Sequence, residues 1–454
     1  MTSNKLIQGH IIPRVIFSCV VLYFVPIFMY FSTSPWLAYS YTKNNSIFEY
    51  FGFTGFALLM LHGIKEWKRL FTLGKSSIFI FPFILFIFYN LLLFSELSRV
   101  GHDYLAYESS VKALLSNRSL YSSSSPPYIY PPFLAQSMTL LYRLIRYVFH
   151  NIISFSVKDG ELLHLLFYSY QYAQFLVLNL SYYLSYLLAR NFGLQNKFSS
   201  VVVFVLFVIN TPLYRNFSQN QVNLWILCSI LLSFLCISKY PIVAGTVVAF
   251  GIHIKLYPIT QAFAWLMSKK WRAIISLVFA FLALFLLETR LMTDMTLWVG
   301  FLKYLMTVEK GHALRNNSVY SLSFNLSRLL FRGSSANLQI GTILTYAIIT
   351  AVLIFWVLAR MYNRKKLFNS DELLYRNMID ALYLMFFISP SVWDHHFVSA
   401  IPLVLWGLSK NVQGNWKLVI VSTVLIFFSP TFDVFFFSYV RLVGLILLLY
   451  STPL

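Results

Sequence analysis

Residues 272–289 read Arg272-Ala-Ile-Ile-Ser-Leu-Val-Phe-Ala-Phe-Leu-Ala-Leu-Phe-Leu-Leu-Glu288-Thr289. Between Arg272 and Glu288 there is no charge, and the one polar side chain is Ser276. About twenty such residues in a helix cross the hydrocarbon core of a bilayer, so the stretch reads as a membrane span. Working outward, runs of the same kind follow one another from Ile11 to Tyr450. Hydrophobic types make up 58% of the 454 residues and charged types 11%. Soluble domains carry about 25% charged residues, which excludes a water-soluble multi-domain protein.

Fourteen candidate spans lie near 12-32, 47-64, 78-97, 162-189, 198-212, 222-238, 241-256, 258-268, 272-289, 338-359, 376-390, 396-409, 417-430 and 433-450. Several are short and the pair around Lys255 reads as one tilted or two kinked helices, so the expectation is about 11–14 spans. The fold class is all-α: one polytopic helical integral membrane domain over 1-454. The run from Ile11 to Phe31 lacks a small-residue cleavage site and reads as a retained first span. Cys19, Cys228 and Cys236 sit inside apolar runs without paired spacing, which suggests neither a disulfide framework nor a zinc site.

Lys and Arg number 35 against 15 Asp and Glu. Of those 35, 19 fall in short clusters on one side of this plan, among them Lys65/Lys68/Arg69/Lys75 and Arg360/Arg364/Lys365/Lys366/Arg376. The excess therefore reads as topology, with both termini cytoplasmic, and leaves no basic stripe for nucleic acid. The long segments 98-161 and 290-337 fall on the opposite, outer side. In the first of them, Tyr130-Pro131-Pro132 leads into an apolar stretch broken by Arg143, Arg146 and His150, which reads as an amphipathic helix on the membrane surface.

Polar residues that interrupt the apolar pattern gather on that outer face in five segments. They are Gly101-His102-Asp103-Tyr104, Gln219-Asn220-Gln221-Val222-Asn223, His253-Ile254-Lys255-Leu256-Tyr257-Pro258, His312 to Ser318, and Ser389-Pro390-Ser391-Val392-Trp393-Asp394-His395-His396. A charge at the centre of a spanning helix costs roughly 2.5–3.5 kcal/mol on insertion scales, so such residues are functional candidates. Each also has a structural alternative. Asp103 can be a helix N-cap, Lys255 can snorkel to headgroups, Gln221 and Asn223 can bond between helices, and Trp393, His395 and His396 can belong to an interfacial belt. The coincidence of all five segments on one face favours a site. Adjacent histidines diverge on a regular helix, so Asp394-His395-His396 does not suggest a metal. No phosphate-cradling glycine loop and no nucleophile elbow occurs.

The order of these motifs resembles glycosyltransferase family 87, the polyprenyl-phosphate-mannose-dependent alpha-1,2-mannosyltransferase-like proteins of the glycosyltransferase-C superfamily. Asp103-Tyr104, Leu120-Tyr121 and Tyr130-Pro131-Pro132-Phe133 look like that family's first outer loop. Asn220-Gln221-Val222-Asn223, Ile254-Lys255-Leu256-Tyr257-Pro258, Lys270-Trp271-Arg272-Ala273, Asn316-Asn317-Ser318 and the segment Ser389 to His396 follow in order. The resemblance implies a glycosyltransferase-C-like fold and inverting transfer of one hexose, mannose by preference, from a polyprenyl-phosphate-linked sugar to a lipid or glycan acceptor. It implies an active site on the extracytoplasmic face of the plasma membrane, and no cofactor or divalent metal. Asp103 takes the place of the general base, while Lys255, Arg315 and one of His395/His396 take the place of groups that neutralise the leaving phosphate. Tyr257 and Trp393 offer flat apolar contact to a sugar or lipid chain. His102, Tyr104, Gln221, Asn223, Asn317 and Asp394 complete the expected substrate-binding set.

Two other readings fit part of the pattern. A lipid-linked sugar flippase or other carrier is also polytopic, but no duplication of halves is visible and the polar groups cluster at one face. An outer-face polysaccharide polymerase or ligase with a pyrophosphate-linked donor shares the topology and the basic equipment.

Overall fold

The computed structural model describes Phe83, Phe86, Ile87 and residues 100–452, apart from 122–125, 153–157, 308–313, 331–334, 365–369, 411–414, 431–433 and 436. The expected spans at 12-32 and 47-64, and all but three residues of 78-97, lie outside the described residues. The rest is helical. Sixteen α-helices follow one another and no strand occurs among the described residues.

The first long loop contributes α1 (His102–Leu115) and α2 (Pro132–Tyr147). Then come α3 (Asp159–Asn191), α4 (Asn196–Val208), α5 (Thr211–Ser218), α6 (Asn223–Cys236), α7 (Pro241–Ile254), α8 (Thr260–Met267) and α9 (Trp271–Glu288). The second long loop carries α10 (Thr296–Thr307) and α11 (Val319–Leu330). The chain closes with α12 (Ser335–Asn363), α13 (Ser370–Ile388), a 3-10 segment at Asp394–Ala400, α14 (Ile401–Lys410), α15 (Trp416–Thr423) and α16 (Val440–Ser451).

All eleven expected spans that fall on described residues are helical, but many are shorter or more broken than the twenty-residue ruler supposes. Among the described residues, two helices are long and apolar enough to cross a membrane, α9 with mean hydropathy 2.0 and the Asn337–Asn363 part of α12 with 2.3. Taken together, α4 and α5 add a third across a 46° bend. Pro212 cannot continue the α4 hydrogen-bond ladder. Asn210 instead ends the helix and caps the next, its side chain accepting from the Leu213 backbone N–H at 2.8 Å. The expected span 258-268 shortens to α8 for the same reason, with Pro258 in the 3-10 turn before it. This is a polytopic helical membrane protein whose helices are frequently interrupted.

The helix expected after Tyr130-Pro131-Pro132 is present as α2, with Pro132 in its first turn, where a missing N–H costs nothing. Its Ala135, Met138, Thr139 and Tyr142 stripe is buried against the bundle. Leu140 and Leu144, four residues apart on another face, are 69% and 56% exposed. The Tyr142 hydroxyl donates to Asp159 at 2.9 Å and the Gln136 amide to the Glu288 carbonyl at 2.9 Å, tying α2 to α3 and α9.

Helices α7 and α9 approach closely because α7 presents Gly245. A Cβ there would stand 2.3 Å from the Ala273 carbonyl oxygen and 2.7 Å from the Leu277 nitrogen, both backbone atoms that cannot rotate away. Small residues at such crossings let helix backbones pack in lipid, where burial drives association little. Gly245→Ala is expected to destabilise the protein by about 1–3 kcal/mol, the usual penalty for overpacking. Thermal unfolding in detergent checks this, and an unchanged midpoint would show that the helix pair separates freely.

Candidate functional site

The site begins at Gly101, the N-cap of α1. Its Cα packs on the turn at Ser218 to Asn220: a Cβ would meet the Gln219 carbonyl carbon and the Ser218 oxygen, each at 2.6 Å. Asn220 makes that turn in the left-handed region at φ 56°, which asparagine tolerates better than most residues. The Asn220 side-chain oxygen accepts from the Gly101 N–H. The Asp103 N–H then donates to the Gln219 carbonyl at 3.2 Å. Two expected segments, 101–104 and 219–223, are thus joined backbone to backbone. Gly101, not Asp103, is the helix cap, so the carboxylate is left to face a cavity.

That cavity has a volume of about 820 Å³, within the range of small-molecule sites. Asp103 and His102 line it from α1, Tyr130 from the loop before α2, Arg215 from α5 and Gln221 from the following turn. Lys255 and Tyr257 line it beyond α7, Arg315 from the second long loop, and Trp393 to His396 from the 3-10 segment.

Lys255 is buried and turned inward instead of snorkelling. Its Nζ donates to the Asn223 side-chain oxygen at 2.9 Å and lies 2.9 Å from His396 Nε2. The same ammonium stands 5.3 Å from the Tyr130 ring centre and 5.4 Å from that of Tyr257, within cation–π range. No ion pair closes between Lys255 and Asp103, although each lies in the other's field. Burial pushes the Asp103 carboxyl above the ordinary aspartate value. The Gln221 amide and the charges of Lys255 and His102 pull it part of the way back.

Other expected residues act from behind the cavity wall. Tyr104 is fully buried in an aromatic cluster with Phe167 and Tyr170 and does not line the cavity. Asn223 reaches the cavity through Lys255, its own amide donating to Asn216 at 3.2 Å. Asn317 lies outside the lining as well, donating to Asp394 at 3.0 Å. Asp394 does line the cavity, but its carboxylate is held by Arg441 of α16 at 3.0 Å. The Asn316 side-chain oxygen accepts from the Val392 N–H at 2.7 Å, and the Asn317 N–H donates to the Val392 carbonyl at 2.7 Å. The second long loop is thereby fastened to the 389–396 segment. His395 and His396 meet edge to face at 4.7 Å between ring centres, both on the lining, while Tyr257 donates to the Ser391 carbonyl at 3.2 Å. His253 turns away: it pairs with Glu288 at 2.5 Å, and Glu288 also accepts from Trp298 at 2.8 Å.

Two residues at the cavity, Arg215 on its lining and Arg441 behind Asp394, were missed by sequence reasoning. Arg215 lies on the short helix α5 with no obvious motif, and its signal was its rarity, a basic residue in what the sequence reads as a short outer connection. Arg441 lies inside an apolar run, and a charge there needs a buried partner.

Fold and cavity together define a polytopic membrane protein built around a chamber that sets charged groups within a largely apolar lining. The family model of glycosyltransferase family 87 matches residues 128–390, more than half the chain, and the chain belongs to that family. It is therefore a membrane glycosyltransferase. Tyr130, Gln221, Asn223, Lys255, Tyr257, Arg315 and Asn317 fall inside the match, while Asp103 and Trp393 to His396 flank it. No curated protein and no solved structure matches the chain.

Removing one member of a buried ion pair strands the other, at a cost of about 3–5 kcal/mol. Arg441→Met is accordingly expected to lower stability by that order, and Arg441→Met with Asp394→Asn to recover much of it. A double-mutant cycle on unfolding free energy checks the coupling, and additive losses would mean that the pair is not coupled.

Proposed function

We propose that the protein moves a single hexose, with mannose the first choice, from a polyprenyl-phosphate-linked donor to a hydroxyl of a lipid or glycan acceptor on the extracytoplasmic face of the plasma membrane. The observation that carries this reading is the Asp103 carboxylate and the Lys255 ammonium sharing one cavity without pairing. The acceptor oxygen attacks the anomeric carbon, giving its proton to Asp103. The bond from that carbon to the phosphate oxygen breaks, and the phosphate leaves with the electron pair. One displacement inverts the anomeric centre. A phosphate leaving group departs as an anion and needs no second carboxyl as acid, unlike the departing alcohol of glycoside hydrolysis. Lys255, Arg215 and Arg315 bring cationic hydrogen-bond donors to the phosphate, and Trp393 and Tyr257 bring flat apolar surface to the sugar.

An apolar lip supports a lipid-linked donor. Leu256 and Ile259 on one side and Met385 and Ile388 on the other line the cavity where α8 meets α13. Ile259 is 54% and Ile388 45% exposed, so the lip continues onto the outside of the bundle. A polyprenyl tail fits such a lip while its phosphate reaches Lys255.

With labelled polyprenyl-phosphate mannose as donor and membranes lacking the protein as host, wild type is expected to label lipid or glycan products. Asp103→Asn at normal protein level is expected to reduce transfer at least a hundredfold, on the scale of a lost general base. Transfer by Asp103→Asn at the wild-type rate overturns the role of Asp103. Transfer only from a pyrophosphate-linked donor turns the reading to a polymerase or ligase. The base works ionised, so transfer should fall as pH drops through the Asp103 pKa. That limb should sit above the value of about 3.9 usual for aspartate, and a rate flat down to pH 4 would contradict it.

A further inference from the structure

The Tyr130-Pro131-Pro132 stretch carries a hydroxyl that the transfer reading leaves without a task. Tyr130 is 1% exposed, and its hydroxyl donates to the side-chain oxygen of Gln221 at 2.9 Å. Gln221 is 3% exposed and lines the same cavity as Asp103, close enough for its amide to favour the ionised carboxyl. An amide has one accepting end and one donating end. With the oxygen taken by Tyr130, the nitrogen is the end left for Asp103. The reversed amide would turn its oxygen to an ionised carboxylate, lone pair against lone pair.

The backbone is held as firmly as the side chain. The Gln221 N–H donates to the Asn216 carbonyl at 2.8 Å, and its carbonyl accepts from Gln174 at 2.9 Å. The Tyr170 hydroxyl donates to the neighbouring Asn220 carbonyl at 2.6 Å. Tyr130 also sets one ring face toward Lys255. It thus contacts the partner of the carboxylate and the ammonium at once.

We propose that Tyr130 and Gln221 are positioning residues for Asp103: the Tyr130 hydroxyl fixes the Gln221 amide so that its N–H group faces and orients the carboxylate. This assigns Gln221 to the protein's own base instead of to substrate, and it rests on the reading of Asp103 as that base. The charged and titratable groups around Asp103 are His102 and Tyr107 on α1, Tyr130 before α2, Tyr170 on α3 and Lys255 beyond α7. Gln221 is the neutral donor among them.

A hydrogen bond to the ionised form favours that form. Losing it makes Asp103 hold its proton to higher pH, a change that a merely structural contact would not produce. The protonated carboxyl can be read without any sugar substrate. Dicyclohexylcarbodiimide adds to protonated, apolar-sheltered carboxyls, and mass spectrometry of the peptide containing Asp103 measures the extent at each pH. Against wild type, Gln221→Leu is expected to raise the pH of half-labelling by about one unit. Tyr130→Phe is expected to raise it by a smaller step in the same direction, because the amide is then free to rotate. Tyr130→Phe removes a single oxygen and decides the matter alone if Gln221→Leu does not fold. Equal half-labelling pH in wild type and Tyr130→Phe, or a downward change in either variant, overturns the proposal. Failure of the transfer reading shows separately, as full transfer by Asp103→Asn.

Discussion

A half-buried carboxylate and a buried ammonium face one cavity without closing an ion pair. Two unlike charges in a low-dielectric chamber attract strongly, and the simplest outcome is a closed salt bridge. Here neutral groups intervene: Asn223 and His396 hold the Lys255 nitrogen, and Gln221 partners the Asp103 carboxyl. The arrangement keeps both charges available to a third party and is costly to maintain without one, as functional polar sites in membranes commonly are. Gly101 exists at its position to let α1 dock on the Gln219 turn, and Asn220 exists to make that turn, so both serve to deliver Asp103.

The contrast with Asp394 is informative. Its carboxylate is closed off by Arg441 and Asn317, so of the two aspartates that line the cavity, one is committed to architecture and the other is open. Asp103 is half-buried and Asp394 buried, but burial alone does not say which of them is answered. The distinction lies in who answers each oxygen. The Asp394 network reaches the second long loop through Asn316 and Asn317 and the last helix through Arg441, so elements far apart in sequence share one anchor beside the cavity.

Much of this was legible in the chain. Apolar runs of span length gave the helical membrane class, and rare polar residues between them marked five of the segments that supply the cavity, because lipid makes each such residue conspicuous. The helix after Pro132 was legible from an apolar stretch broken by Arg143, Arg146 and His150. Helix lengths were less so: a ruler of twenty residues per span does not see that Pro212, Pro258 and Asn210 divide runs that look continuous in hydropathy. Orientation within a segment was also hidden. His253 and Lys255 are two residues apart, yet one turns to Glu288 and the other to the cavity. Tyr104 follows Asp103 directly but enters the core, since successive helical side chains point about 100° apart. Arg441 could be read only as a charge in an apolar run, since its partner is 47 positions away and nothing local names it.

The Arg441–Asp394 bridge also sets an order of events during synthesis. Chains emerge from the N-terminus, so Asp394 leaves the ribosome well before Arg441. Until α16 follows, Asp394 has Asn317 but no cation to answer it, and α16 itself must enter the bilayer carrying a guanidinium that hydrocarbon resists. Each charge is a defect alone and a fastening when joined. The Asp394 side of the cavity is thus fastened only once α16 has been made, and a nascent chain halted before α16 carries Asp103 and Lys255 without that fastening.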